Sequence, residues 1–223
     1  MSQLEAIEIE TTAAPGAAII WMHGLGADGH DFVDVVPELN LPARPGVRFV
    51  FPHAPMRPVT INGGYVMRAW YDIRDDAGAR REDPAGVRAS QKSIEALIQR
   101  ERERGVPSRS IVIAGFSQGG AMALQTGLRH GERLAGVMAL SCSLPLADTL
   151  AAEAAPANRD VPIFMAHGTQ DPMIPMARAL RARETLAGLG YRVEWHEYAM
   201  PHSVSLEEIR DISAWLGTVL PKP

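Results

Sequence analysis

A single cysteine, Cys142, stands in a chain of 223 residues, so neither an internal disulfide framework nor a cysteine-based zinc cluster can be built. One free thiol suits a reducing compartment. Positive charge is also in short supply: 22 Lys and Arg against 26 Asp and Glu give a formal net charge of −4 and a pI near 6.0, with no basic stripe to offset it. Nucleic acid is thereby disfavoured as a partner, because its phosphates demand a cationic face. No apolar stretch is long enough to span a bilayer. The start, Met1-Ser2-Gln3-Leu4-Glu5, has neither a basic region followed by an apolar core nor a myristoylation glycine. A cytoplasmic protein without integral membrane association is expected. No repeat, linker or composition shift divides the chain, so residues 1–223 are expected to form a single domain.

What the chain does have is a succession of short apolar runs separated by helical patterns. Ala17–Met22, Val47–Phe51, Ser110–Ala114, Ala135–Leu140 and Val161–Ala166 read as strands buried on both faces, which predicts an α/β fold with a mostly parallel central sheet flanked by helices. Asp83-Pro84 supplies an N-cap and a first-turn proline for a helix carrying Val87, Ile94, Leu97 and Ile98 on one face and ending at Gly105. Its tail, Arg100–Arg104, reads as a solvated face. Ser205 and Glu208 have the spacing of a capping box, with Val204 and Ile209 as its hydrophobic staple, before a helix marked by Leu206, Ile209, Ile212, Trp215 and Leu216. The alanine-rich stretch 147–157 reads as a short helix or a surface excursion, and no large cap domain fits.

The segment Ile111–Gly120 ends a β-branched run in Gly115-Phe116-Ser117-Gln118-Gly119. A serine on a sharp strand-to-helix turn is exposed at the sheet edge, and glycines on either side let the backbones approach without Cβ clashes. A helix starting there favours negative charge developing near the serine. Ser117 is therefore the candidate nucleophile.

A serine hydroxyl is a poor nucleophile at neutral pH and needs a base, itself oriented by an acid. In sheets of this kind the two follow in the order acid, histidine, on loops beyond later strands. Asp171 lies in the turn after Val161–Ala166, whereas Asp148 and Asp160 precede that strand and Asp211 falls inside the last helix. Of seven histidines, His202 alone lies after Asp171 in a loop between a strand pattern, Arg192–Tyr198, and the final helix. His196 would project sideways from mid-strand, and His130 reads as a cation at a helix end. An oxyanion needs two convergent N–H donors, for which the backbone of Gln118 and, in His23-Gly24-Leu25-Gly26, that of Leu25 are in place.

Gly24–Gly29 also matches the G-x-G-x-x-G pattern of dinucleotide sites. The context fails, because the next strand ends in Pro52-His53-Ala54-Pro55 and not in the acidic residue that would hold a ribose. With no metal-ligand spacing either, no metal is expected.

The chain resembles the bacterial carboxylesterase and acyl-protein thioesterase family of α/β-hydrolases over nearly its whole length. The likeness rests on His23–Asp28, on Pro52–Pro55 with Arg57–Gly64 and Trp70-Tyr71-Asp72, on Gly115–Gly120, on Asp171-Pro172 and on His202. It implies an α/β-hydrolase fold, a Ser117-Asp171-His202 triad with Leu25 and Gln118 as oxyanion donors, hydrolysis of carboxylic esters or thioesters without a cofactor, and a homodimer. Arg68, where the family often has a proline, and Pro201, before the histidine, depart from the pattern close to the expected acyl site. A lysophospholipase, an acyl-protein thioesterase and a catalytically inert hydrolase-fold binding protein are the alternatives to a short- to medium-chain esterase. The acyl group is expected between the nucleophile and the segment Pro58–Trp70, against Leu25, Val59, Ile61, Met67, Trp70, Leu144 and Met173, since apolar side chains among turn formers suit a groove wall. Cys142 is expected to be a small packed residue.

Overall fold

The computed structural model describes residues 4–41, 46–76 and 79–222. The apolar runs pair as a sheet of seven strands in the order β1 (Ala6–Glu10), β3 (Val47–Pro52), β2 (Ala17–Met22), β8 (Ile111–Phe116), β9 (Gly136–Leu140), β10 (Ile163–Gly168), β11 (Val193–Tyr198). Only β1 is antiparallel to its neighbour. All six residues of β2 are buried, because helices cover both faces and leave no side of the strand for polar residues. Ala18, Ile20 and Met22 face one apolar cluster with α1 (Pro84–Glu103), α2 (Gln118–Gly127) and α4 (Met176–Gly188). Ala17, Ile19 and Trp21 face the other, with α5 (Leu206–Val219). A short helix, α3 (Ala147–Glu153), occupies the alanine-rich stretch.

Helix starts follow the sequence signals. Asp83 accepts hydrogen bonds from the N–H groups of Ala85 and Gly86, and the Ser205 hydroxyl accepts one from Glu208 N at 3.1 Å. The reciprocal half of the capping box does not form. Glu208's carboxylate is fully buried with neither oxygen at hydrogen-bonding geometry among the described residues. Burial pushes its pKa up to about 8, a shift that the nearby Ser205 N–H only partly opposes.

Two expectations are corrected. The Arg100–Arg104 tail is not simply solvated: Glu101 lies on the apolar face of α1, wholly buried, and accepts hydrogen bonds from Arg48 at 2.7 Å and Arg104 at 3.0 Å. Arg48 also donates to Glu10, so this pairing ties α1 to β3 and β1. The irregular Pro58–Trp70 segment contains a hairpin, β4 (Met56–Val59) with β5 (Tyr65–Arg68). Gly63 and Gly64 turn it at φ 66° and 79°, values that cost glycine nothing. A second short pair, β6 (Ile73–Asp76) with β7 (Ala79–Glu82), follows. Among the described residues no helix is long and apolar enough to cross a membrane.

Candidate active site

Ser117 sits between β8 and α2 at φ 55° and ψ −118°. A left-handed φ at a residue with a side chain costs about 1–3 kcal/mol and survives only where the surroundings impose it. Here Ser117 N donates to Leu140 O at 2.8 Å and Ala121 N donates to Ser117 O at 3.0 Å. Close approach completes the turn: a Cβ on Gly119 would lie 2.2 Å from the Met22 carbonyl oxygen, and one on Gly115 would lie 2.2 Å from that of Gly119. Glycine is obligatory at both positions for steric reasons.

Three loops beyond the strand ends bring their side chains together. His202 Nε2 lies 2.9 Å from Ser117 Oγ, and His202 Nδ1 lies 2.6 Å from Asp171 Oδ2. The other carboxylate oxygen, Asp171 Oδ1, accepts from Met173 N at 2.8 Å and Ile174 N at 2.9 Å. With Nδ1–H directed at the carboxylate, Nε2 is left to accept a proton from the serine. Asp171 is sealed from solvent, whereas the His202 ring is 17% exposed and packs against Phe116 with ring centroids 4.7 Å apart.

A second histidine, to which the sequence reading gave no role, backs the same carboxylate. His167, at the end of β10 and fully buried, has Nε2 2.9 Å from Ile174 O and 3.6 Å from Asp171 Oδ2. Its signal was the dipeptide His167-Gly168 closing the strand that leads to Asp171. His196 is elsewhere, stacked on Phe164 and Tyr198 and bonded to Glu194 at 3.0 Å. His130, expected as a cation, is shifted by burial toward the neutral form.

The loop after β2 is fixed by His23. Its Nδ1–H donates to Gly24 O at 2.7 Å and its Nε2 accepts from Ala54 N at 3.0 Å, a tautomer assigned from these partners. Burial pushes its pKa down to about 4, so the ring is neutral near pH 7. Gly26 N donates to Arg68 O at 2.9 Å, which leaves Leu25 at the cavity wall between two anchored glycines. Gln118 contributes its side chain as well as its backbone: Oε1 accepts from Trp70 N at 2.7 Å and Nε2 donates to Tyr71 O at 2.8 Å.

A cavity of about 310 Å³ opens beside Ser117 and His202. Leu25, Met67 and Met173 line it as expected, joined by Ile73, Phe116 and Ile174. The other four residues expected there lie elsewhere. Val59 and Trp70 are fully buried, Trp70 because its indole N–H donates to His23 O at 2.9 Å and its carbonyl accepts from Ser90 Oγ. Ile61 belongs to the hairpin turn, half-buried, and does not line the cavity. Leu144 faces a separate hollow of about 170 Å³ beside Arg181 and Ala182. Cys142 is buried behind Gly120, and burial pushes its thiol up to about 12. Among the described residues no group of three or more His, Cys, Asp or Glu could hold a metal ion.

A mostly parallel sheet whose fourth strand in spatial order delivers a serine at positive φ into a helix defines an α/β-hydrolase. The chain belongs to the phospholipase/carboxylesterase family, whose model matches residues 4–220. It is 40% identical over 214 residues to acyl-protein thioesterase 1 of Gibberella zeae, covering 92% of this chain and 91% of that protein. With acyl-protein thioesterase 1 of Yarrowia lipolytica it shares 38% identity over 221 residues, 97% of each chain. The crystal structure of Zea mays acyl-protein thioesterase 2 superposes with a TM-score of 0.83 at 27% identity, covering 97% of this chain and 99% of that one. The protein is accordingly a hydrolase of the esterase and thioesterase kind.

Proposed function

We propose that Ser117, His202 and Asp171 are a catalytic triad that cleaves short- to medium-chain acyl esters or thioesters through an acyl-Ser117 intermediate. The observation that carries this reading is the continuous relay, 2.9 Å from serine to histidine and 2.6 Å from histidine to carboxylate. His202 Nε2 takes the Ser117 proton as Oγ attacks the acyl carbon, then returns it to the departing alcohol or thiol. Water, activated by the same nitrogen, releases the acid. Asp171 holds the tautomer and stabilises the imidazolium. The N–H of Gln118, first in α2 and without a preceding turn to bond, and that of Leu25 receive the oxyanion. The acyl chain lies against Met67, Phe116 and Met173, in a cavity at the small end of the range for ligand sites.

Acyl-protein thioesterase activity is the reading that the fungal relatives favour within this chemistry, since oxygen and sulfur esters use the same nucleophile and oxyanion site. Lysophospholipase activity uses it too. A panel of p-nitrophenyl esters and acyl thioesters of graded chain length, together with a lysophospholipid, separates these readings. A fluorophosphonate probe should label the wild type and leave Ser117→Ala unlabelled; an unlabelled wild type that turns over no ester would establish an inert binding protein instead. The proposal includes a cytoplasmic site of action, one domain over residues 1–223 and a homodimer. One cooperative unfolding transition tests the domain count, and light scattering tests the dimer.

A further inference from the structure

The catalytic cavity is walled by apolar side chains with one unbalanced charge. Among the described residues that line it, Asp31 is the only carboxylate, and no lysine or arginine accompanies it. Its carboxylate makes no hydrogen bond or ion pair among the described residues. The other carboxylate of this loop, Asp28, is by contrast bonded to the His30 ring at 3.0 Å and to the His30 N–H at 2.8 Å. Asp31 is exposed, which puts it at the mouth of the cavity, not in its floor. Desolvation by its surroundings, and after it the charge of Asp28, push the Asp31 pKa upward, and no cationic side chain among the described residues opposes them. A carboxylate in that situation gains by meeting a positive charge.

We propose that Asp31 selects substrates whose leaving group carries a positive charge next to the scissile bond. The side of the substrate follows from the walls. Leu25, Met67, Ile73 and Phe116 offer an acyl chain only apolar contact, and a cation pressed among them would lose its hydration without a partner. The alcohol or thiol, which leaves toward solvent, is the part that passes a residue at the mouth. Two chemical sources provide such a group: a small amino alcohol, and a cysteine thiol flanked by basic residues in a peptide. The inference rests on the esterase reading of the site and adds the charge of its substrate.

Matched pairs test it. The first pair is butyrylcholine and its uncharged isostere 3,3-dimethylbutyl butyrate; the second is an S-butyryl cysteinyl peptide with lysine or with glutamine beside the cysteine. For an exposed pair of opposite charges, kcat/KM should favour the cationic member by about two- to fivefold at low ionic strength. That ratio should fall toward one in about 0.5 M salt, where the screening length is only a few ångströms. Asp31→Asn and Asp31→Ser should abolish the ratio, whatever they do to overall turnover, and Asp31→Glu should keep it. Preference in the first pair alone identifies a small amino alcohol, in the second alone a basic peptide, and either supports the proposal. Equal turnover within both pairs, or a preference that survives Asp31→Asn, overturns it while leaving the esterase reading standing. Absence of all ester and thioester turnover would remove both.

Discussion

Ser117 is held in a backbone conformation that its own Cβ disfavours, and the strain is useful because it lifts Oγ clear of the sheet toward His202 Nε2. In the proposed triad the chemistry depends on three side chains acting as a unit. His202→Ala should lower kcat/KM by roughly three orders of magnitude with the fold intact, because triad members removed singly cost nearly as much as when removed together. His196→Ala should retain most activity, since that ring is stacked on Phe164 away from the serine. Comparable losses in the two variants, measured on one p-nitrophenyl ester, would leave the base unassigned. Ser117 and Asp171 were legible in the sequence because each lies just beyond the end of a buried strand, a position that apolar runs mark, and His202 because it lies between the β11 pattern and the capped start of α5. Trp70 was not, because an indole among turn formers looks the same whether it walls a groove or, as here, ties one loop to another through its N–H.

Among the elements, the elbow is braced from outside by the strap 69–72. The Gln118 side chain is buried and satisfies Trp70 N and Tyr71 O at once, fastening the strap to the first residue of α2. Gln118→Leu would strand both partners, and an unpaired buried backbone group costs about 1–3 kcal/mol. The variant should therefore lose about 2–6 kcal/mol in urea unfolding. It should also lose kcat more than it raises KM, since the backbone N–H of residue 118 is the proposed oxyanion donor. Unchanged kcat in a destabilised variant would show that the strap supports the fold alone. The hairpin makes a separate prediction. Met67 borders the cavity, so Met67→Ala should flatten the rise of kcat/KM with acyl length, each buried methylene being worth about 0.8 kcal/mol at most. Identical length profiles from acetyl to dodecanoyl esters would take Met67 out of the acyl site. The parallel strands could be read from sequence because burial on both faces leaves unbroken apolar runs. The hairpin could not, since a short antiparallel pair half open to water carries no such run. β1 carried a weak cue in the alternation of Ile7 and Ile9 with Glu8 and Glu10, whose charged half is explained only by Arg48, Arg100 and Arg104 meeting it from distant segments.

At the scale of the whole molecule, the loop bearing His202 is bounded by β11 and α5, and α5 packs against the sheet through Ile212, Trp215 and Leu216. Glu208 lies at the buried start of that helix, where sequence spacing alone suggested a capping carboxylate open to its own backbone. Spacing specified the residue type and not the solvent access, so a titrating group was built into the seam between helix and sheet. In the unfolded chain its pKa returns to the ordinary value of 4.5, whereas in the fold it is about 8. The folded state thus binds the proton more tightly. Its contribution is fully present below about pH 4.5 and is lost progressively as pH rises through about 8, by an amount on the order of 5 kcal/mol. Glu208→Gln, which cannot ionise, should remove this slope and leave the Ser205 cap in place. Measured as urea midpoints, the variant and the wild type should differ little near pH 5, and the variant should be the more stable near pH 8.5, because only the wild type must bury a carboxylate there. Groups common to both proteins, His23 among them, cancel in that difference. Parallel curves over the whole range would mean that the helix start opens to water before the carboxylate ionises.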